Sequence, residues 1–365
     1  MISKFDHTEG TEQLKKIDEQ LFEIGKQIQF ALINPTNIEH EKKIVLSDSD
    51  YNPLFEYEDV DFESTIAEIE SINSHNSIMG NIFEKKRIGI LNRAKAIQSR
   101  GTSQFTKHGL NSFGQGTKGL IDDAKKLLDV TQTETGKTES SLTAVHQLHA
   151  EVKHYGFDYL VDHVDMSASA MVQPSKRIVL LNKNMRYSQR FIKQLIVHEI
   201  GTHVLRAENG RLQPYKIFAT GFPNYLATEE GFAVYNEERC GLLDKRVLQK
   251  YAARAIATDM ALDKSFSEIY NYLQTYMSKD WAFQFALRAK RGLGDSSKPG
   301  GCTKDYVYLD GYLKVKGFIE GGGSIKDLYY GKIGLEHVDD VKKIPGIKTP
   351  KFLLRKDLFK ALTEF

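Results

Sequence analysis

Cysteine is nearly absent from this chain: Cys240 and Cys302 are the only two in 365 residues. Standing 62 positions apart, they make no disulfide framework and lack the paired spacing of a thiolate zinc site. They read as two free thiols in a reducing compartment. An excess of one charge is absent too. Fifty Lys and Arg against 48 Asp and Glu leave +2, which gives no general attraction to nucleic acid or a membrane surface. No window approaches the roughly 18 apolar residues that a spanning helix needs. The opening run MISKFDHTEG has no apolar leader core, so no secretory signal is expected. Internal repeats and long low-complexity tracts are missing. What remains is 41% hydrophobic and 27% charged, the balance of a soluble globular chain. Its length suits one large domain or two ordinary ones. A cytoplasmic monomer is expected.

The first third has helical periodicity. Leu14, Ile17, Leu21, Ile24, Ile28 and Leu32 recur at spacings of three and four over residues 12 to 33, and Pro35 stops the run. A polar stretch with SDSDYNP follows. Helices are expected over 62 to 73, 78 to 99 and 118 to 130, with the Gly- and Ser-rich segment GTSQFTKHGLNSFGQGTKG between the last two read as a loop. The run TQTETGKTESS reads as a linker or surface loop. Its GKT lacks the glycine that a phosphate loop requires five positions earlier, where Thr131 stands. A boundary is therefore placed here: an N-terminal helical region, 1–135, packed on a second region, 136–365.

Beyond it the pattern changes. A helix near 139 to 154 precedes FDYLVDHVDM, SASAMVQ and RIVLLN, short β-branched runs split by Pro174-Ser175. They read as strands, paired antiparallel. A helix over 188 to 207 follows and is expected to stop at Asn209-Gly210. Another begins near Thr228, and more fill 246 to 292. GLGDSSKPGGCTKD reads as a loop. The fold class that results is α+β: mostly helical, with a small mixed or antiparallel sheet beside one long helix.

That helix carries His198-Glu199-Ile200-Gly201-Thr202-His203. Two histidines four apart share a helix face and can reach one metal. Here they are five apart, which on a regular α-helix offsets them by roughly 140°, too wide for one ion. A widened i→i+5 turn near Ile200 to Thr202 would realign them, and Gly201 would ease it. The preceding FIKQLIV is too apolar for an exposed surface helix. Many zinc hydrolases draw a third ligand from a glutamate on a second helix, and Glu230 stands 27 positions after His203 in EEGFA. Two imidazoles and a carboxylate would hold Zn²⁺ with a fourth position open to water. Glu199 would then serve as general base. Glu229 and Glu237 are candidates to orient the imidazoles. His146, His149 and His154 on AVHQLHAEVKH read as a solvated polar face rather than a second metal site.

At these residues the chain resembles the tubulin-tyrosine carboxypeptidase family, microtubule-associated enzymes with many bacterial relatives marked by a QEGLA motif. The similarity runs through HEIGTHVLRAENG, QPYKIFATGFPNYLATEEGFAVYNEE, RGLGDSSKPGGCTKDYVYLDGY and LYYGKIGLEH. Weaker likeness reaches back through ILNRAKAIQSRGTSQF to LINPTN. The QEGLA element reads EEGFA here, with Glu229 for glutamine and Phe232 for leucine. The resemblance implies a zinc carboxypeptidase with ligands His198, His203 and Glu230 and general base Glu199. It also implies that the N-terminal helices belong to the same compact unit.

A carboxypeptidase must grip a free carboxylate, best with arginine. Arg186, Arg206, Lys290, Arg291, Lys304 and Lys332 are the candidates in the matching stretches. Arg291 and Lys304 are preferred because they flank the glycine-rich loop. Tyr306, Tyr308 and Tyr330 could donate to the oxyanion, with Tyr308 taken as substrate-binding, and RIVLLN could pair with an extended substrate. The leading expectation is a zinc metallocarboxypeptidase acting on peptide or protein C-termini, with release of an aromatic residue such as tyrosine. An endopeptidase on the same site and a non-catalytic zinc-stabilised binding module are the alternatives.

Overall fold

The stripe of Leu14, Ile17, Leu21, Ile24 and Ile28 turns inward in the computed structural model. The model describes the backbone of residues 4–73, 75–129, 138–166 and 168–359, with side chains from 11 to 358 within those spans. The helix itself, Lys4–Gln27, ends before the periodicity does. A 3-10 turn, Phe30–Ile33, carries the chain on, and Ile33 rather than Leu32 becomes the buried residue. The expected boundary near 135 and the Gly136 and Lys137 of GKT lie outside the described residues.

The chain divides into two compact units interleaved along the sequence: Met1–Val130 with Lys245–Asp310, and Thr131–Asp244 with Gly311–Phe365. The first is helical. Glu63–Ser71, Ile78–Gln98 and Lys118–Lys126 lie where periodicity expects them. Two helices it does not reveal are Ile38–Ser47, in the stretch read as polar, and Gln104–Phe113, in the segment read as a loop. Each is short and offers few fully buried apolar anchors, Val45 in one and Phe105 in the other, too few to generate a periodic signal. Lys245–Met260, Phe266–Leu273 and Lys279–Lys290 complete the unit. Ser265 opens the middle one with a full capping box against Glu268. The glycine-rich loop is fixed rather than loose: Gly101 N–H donates to Gly292, Phe55 N–H to Gly294, and the Tyr57 hydroxyl to Leu293, all at backbone carbonyls.

The second unit holds the sheet. Strands β1 (Leu160–Val164), β2 (Ala170–Gln173) and β3 (Ile178–Asn182) stand in the order β1-β3-β2. The chain reverses twice, so β3 runs antiparallel to β2 and parallel to β1, and it slots between them. The antiparallel expectation thus holds for one pair only. β3 is RIVLLN, and both its edges are taken, so it cannot pair with a substrate backbone; the free edges belong to β1 and β2. Helix Ser141–His154, capped by the Ser140 hydroxyl, lies against β1 and β3, and β2 lies beside the segment that carries the histidines. Among the described residues no helix is long and apolar enough to cross a membrane. Cys240 and Cys302 are buried free thiols.

Candidate metal centre

The histidines stand on a helix that changes its winding. Gln189–Leu195 is α-helical and opens on the Ser188 hydroxyl, Ile196–Val204 is π-helical, and Leu205–Arg211 is α-helical again. A π-turn bonds residues five apart, so it brings His198 and His203 to one face. Their ring centroids lie 4.9 Å apart, nearly perpendicular. The Thr202 hydroxyl donates to the carbonyl of Val197, five positions back, at 3.2 Å. Asn236 donates to that hydroxyl at 3.0 Å and to Tyr329 at 3.2 Å, while the Tyr329 hydroxyl donates to the Gly201 carbonyl at 2.8 Å. Burial pushes the Tyr329 hydroxyl above its ordinary range, which keeps it a donor. The widened turn is therefore braced from outside. Gly201 serves packing: a Cβ there would fall 2.5 Å from Leu354 Cδ1. Contrary to expectation, the helix does not stop at Asn209-Gly210. Asn209 is fully buried, and its amide holds the carbonyl of Phe352 and the N–H groups of Lys351 and Phe352. Its role is to tie down a returning chain, not to end a helix.

The third member comes from helix Tyr225–Arg239. One oxygen of Glu230, Oε2, lies 3.8 Å from Nε2 of both His198 and His203. These three side chains place their ligand atoms within 4.8 Å of one another, and the group could hold a metal ion. The helix reaches this position because Gly231 lets it touch another backbone directly. A Cβ on Gly231 would come 2.0 Å from the carbonyl carbon of Gly311 in helix Val307–Glu320.

The other imidazole nitrogens are both engaged. Nδ1 of His198 donates to Glu237 at 2.6 Å, and Nδ1 of His203 donates to Glu229 at 2.8 Å. With the proton fixed on Nδ1, each Nε2 lone pair turns toward the shared point beside Glu230. The sequence leaves both carboxylates as options; the structure uses both, one for each histidine. Glu237 is itself held by Gln194 at 2.7 Å. Glu229 is held by Lys332 and, at 2.5 Å, by Arg206. Arg206 is fully buried and also donates to the carbonyls of Leu328, Gly331 and Ile333. Arg206 and Lys332, candidates for a substrate carboxylate by sequence, thus grip one of the protein's own.

The charges follow. Burial pulls the His198 imidazole down, but Glu237 at Nδ1, with Glu199 and Glu230 nearby, overcomes it and raises the group to about 9. Burial pushes the Glu229 carboxyl up, yet Lys332, Arg206 and His203 hold it well below the usual carboxylate range. Glu199 is buried beside His198.

Arg291, Lys304 and Tyr308 belong to the first unit, whereas the histidine–glutamate cluster belongs to the second. Arg291 is 7% exposed, donates to Asn34 at 2.8 Å and leaves its Nε unpartnered. The Arg291 guanidinium and the Lys304 ammonium both lie over the ring of Phe30. Tyr308 stacks on Tyr251 beneath Arg254. Lys290 is buried with its ammonium bonded to the carbonyls of Ala261, Lys264, Lys298 and Gly300, which assigns it to the loop. Arg186 donates to the Thr138 carbonyl. Tyr306 donates to the Phe113 carbonyl.

Residues 43–356 match the sequence profile of the family described as microtubule-associated tyrosine carboxypeptidase. Microtubule-associated tyrosine carboxypeptidase 1 of Rattus norvegicus is 27% identical over 292 residues, 78% of this chain and 55% of that protein. The Homo sapiens protein of the same name is 25% identical over 332 residues, 88% of this chain and 64% of that protein. The chain thus spans less than two thirds of the length of these curated relatives.

Proposed function

From the premise that the chain belongs to the microtubule-associated tyrosine carboxypeptidase family, we propose that it is a zinc metallocarboxypeptidase acting on peptide or protein C-termini. The observation that carries this reading is the pair of Nε2 atoms, each 3.8 Å from one Glu230 oxygen on a π-helix built for that alignment. The donor set suits zinc: two imidazoles whose Nδ1 partners aim Nε2 at one point, and one carboxylate. Three protein donors also favour a catalytic over a structural ion, since structural zinc is closed by four.

Zinc, when bound, would polarise the scissile carbonyl and acidify a water. Glu199, buried beside His198, would take the proton of the attacking water and pass it to the leaving amine. His198, His203 and Glu230 would hold the ion, while Glu237 and Glu229 keep the rings oriented. We assign the grip on the substrate carboxylate to the sequence's candidates Arg291 and Lys304, with Tyr308 as a further substrate-binding residue. Release of a C-terminal tyrosine is the substrate preference suggested by the relatives' names, and a cytoplasmic setting the one suggested by the two free thiols.

The test is a C-terminal peptide library read by mass spectrometry, run beside elemental analysis. Stoichiometric zinc and loss of single C-terminal residues are expected. Internal cleavage of C-terminally amidated peptides would replace the exopeptidase with an endopeptidase, and absence of bound metal would end both.

A further inference from the structure

A groove of about 700 Å³ opens in the second unit between helix Ser141–His154 and the start of strand β1, at Leu160 and Val161. We propose that it docks an extended acidic peptide segment, which adds to the sheet as a strand beside β1. The proposal is independent of the peptidase reading, since none of its residues belongs to the metal centre.

The edge itself comes from the register. Leu160 N–H donates to Arg177 and the Val164 carbonyl accepts from Lys183, so the even-numbered residues of β1 bond inward to β3. In a parallel ladder the alternate residues, Val161 and His163, then turn their backbone groups outward. Among the described residues no strand pairs with that side. The Val161 side chain is buried, and His163 bonds Ser141 on the covering helix at 2.8 Å. The helix therefore covers one face of β1 and leaves its edge without a partner strand, where the His163 N–H donates to the Asp162 carboxylate at 2.7 Å, a local bond that an incoming strand would replace. A helix beside an open strand edge is an arrangement by which extended peptides are bound: main-chain bonds supply affinity, and flanking side chains supply selectivity.

The flanking side chains are basic. Lys153, Lys176 and Arg177 line the groove against one carboxylate, Asp158, in a chain whose total is nearly neutral. Their internal partners are weak. Lys176 has no hydrogen bond or ion pair among the described residues. Lys153 stands 3.9 Å from Asp158, and Arg177 stands 3.7 Å from Glu208. His146 and His149 also face this groove, and neither belongs to a metal-holding group among the described residues. Arg177 adds a second sign. It closes the β2–β3 turn in the left-handed region, at φ 52°, where glycine is the cheap choice. The chain accepts that conformation with a guanidinium at the mouth of the groove.

The test uses the Glu199→Gln protein, so that no peptide is cut, and a short fluorescein-labelled, C-terminally amidated peptide alternating Glu and Val. Anisotropy should show saturable binding that weakens with salt, and a Lys/Val peptide should not bind. Lys153→Glu with Lys176→Glu should weaken binding roughly tenfold. Arg177→Gly, which keeps the turn conformation, should weaken it in the same direction. Thermal melting and hydrolysis of a short substrate, measured in the Glu199 background, should be unchanged by these exposed substitutions. A Glu/Val peptide N-methylated at every residue should lose binding, because neither of its edges can then donate to the ladder. No saturable binding, indifference to charge reversal, or equal binding of the N-methylated peptide would each overturn the proposal.

Discussion

His198 and His203 are oriented by carboxylates of unlike company. Glu237 rests on a neutral amide, Gln194, whereas Glu229 lies between two cations, Arg206 and Lys332. Removing each should therefore have different consequences. Glu237→Gln keeps a neutral partner for Gln194 and should lower metal affinity by about 10–100-fold with the fold intact. Glu229→Ala leaves a fully buried guanidinium without its counter-charge, which costs about 3–5 kcal/mol. Metal titration paired with denaturant melts separates the two; equal effects on stability would refute the distinction. Glu199 stands apart from this scaffolding. Glu199→Gln should lower hydrolysis by about 10²–10⁴-fold while zinc stoichiometry, read by elemental analysis, stays unchanged. Full activity in that variant would remove Glu199 from the proposed mechanism.

On the scale of elements, the centre depends on a π-turn and on one tight helix crossing. Gly231→Ala drives a methyl into the backbone of Gly311 and should destabilise by about 1–3 kcal/mol, with metal affinity falling alongside as Glu230 is displaced. A melting temperature unchanged by the substitution would mean that the helices part freely. The π-turn is the feature most openly written in the sequence, because a five-residue spacing of ligands admits few other geometries. Glu230 was legible for a similar reason: it stands on a helix downstream of a His-Glu-x-x-x-His run. Glu229 and Glu237 were legible as partners of the imidazoles, but the residues that hold them and the turn were not. Arg206 and Lys332 look like surface or substrate cations until Glu229 is placed between them, and nothing local to Asn236 or Tyr329 announces that they brace Gly201 and Thr202. Likewise Gln104–Phe113 hides in a Gly-, Ser- and Thr-rich segment because helix formation there rests on few buried contacts.

For the molecule as a whole, protons and metal compete at one place. Without metal, the raised His198 contributes stability that is fully present below its ordinary 6.5 and is lost as pH rises through about 9. The depressed Glu229 contributes stability that is present above its ordinary 4.5 and is lost as acid titrates it. Metal-free protein should therefore be most stable between these limits and weaken on both sides, as chemical denaturation across pH would record. Zinc binding must release the His198 proton, so apparent affinity should rise with pH up to about 9. A pH-independent affinity in competition with a chelator would contradict the assigned ligand. The interleaving of the two units has a consequence of a different kind, for synthesis on the ribosome. A chain made from its N-terminus completes the histidine pair and all four glutamates of the centre before residues 245–310 and Gly311 exist. The nascent protein thus carries the full proposed ligand set while the Gly231 face of helix Tyr225–Arg239 is still bare. Ion capture can precede the final closure of either unit, and the order of loading and folding becomes a matter of translation timing.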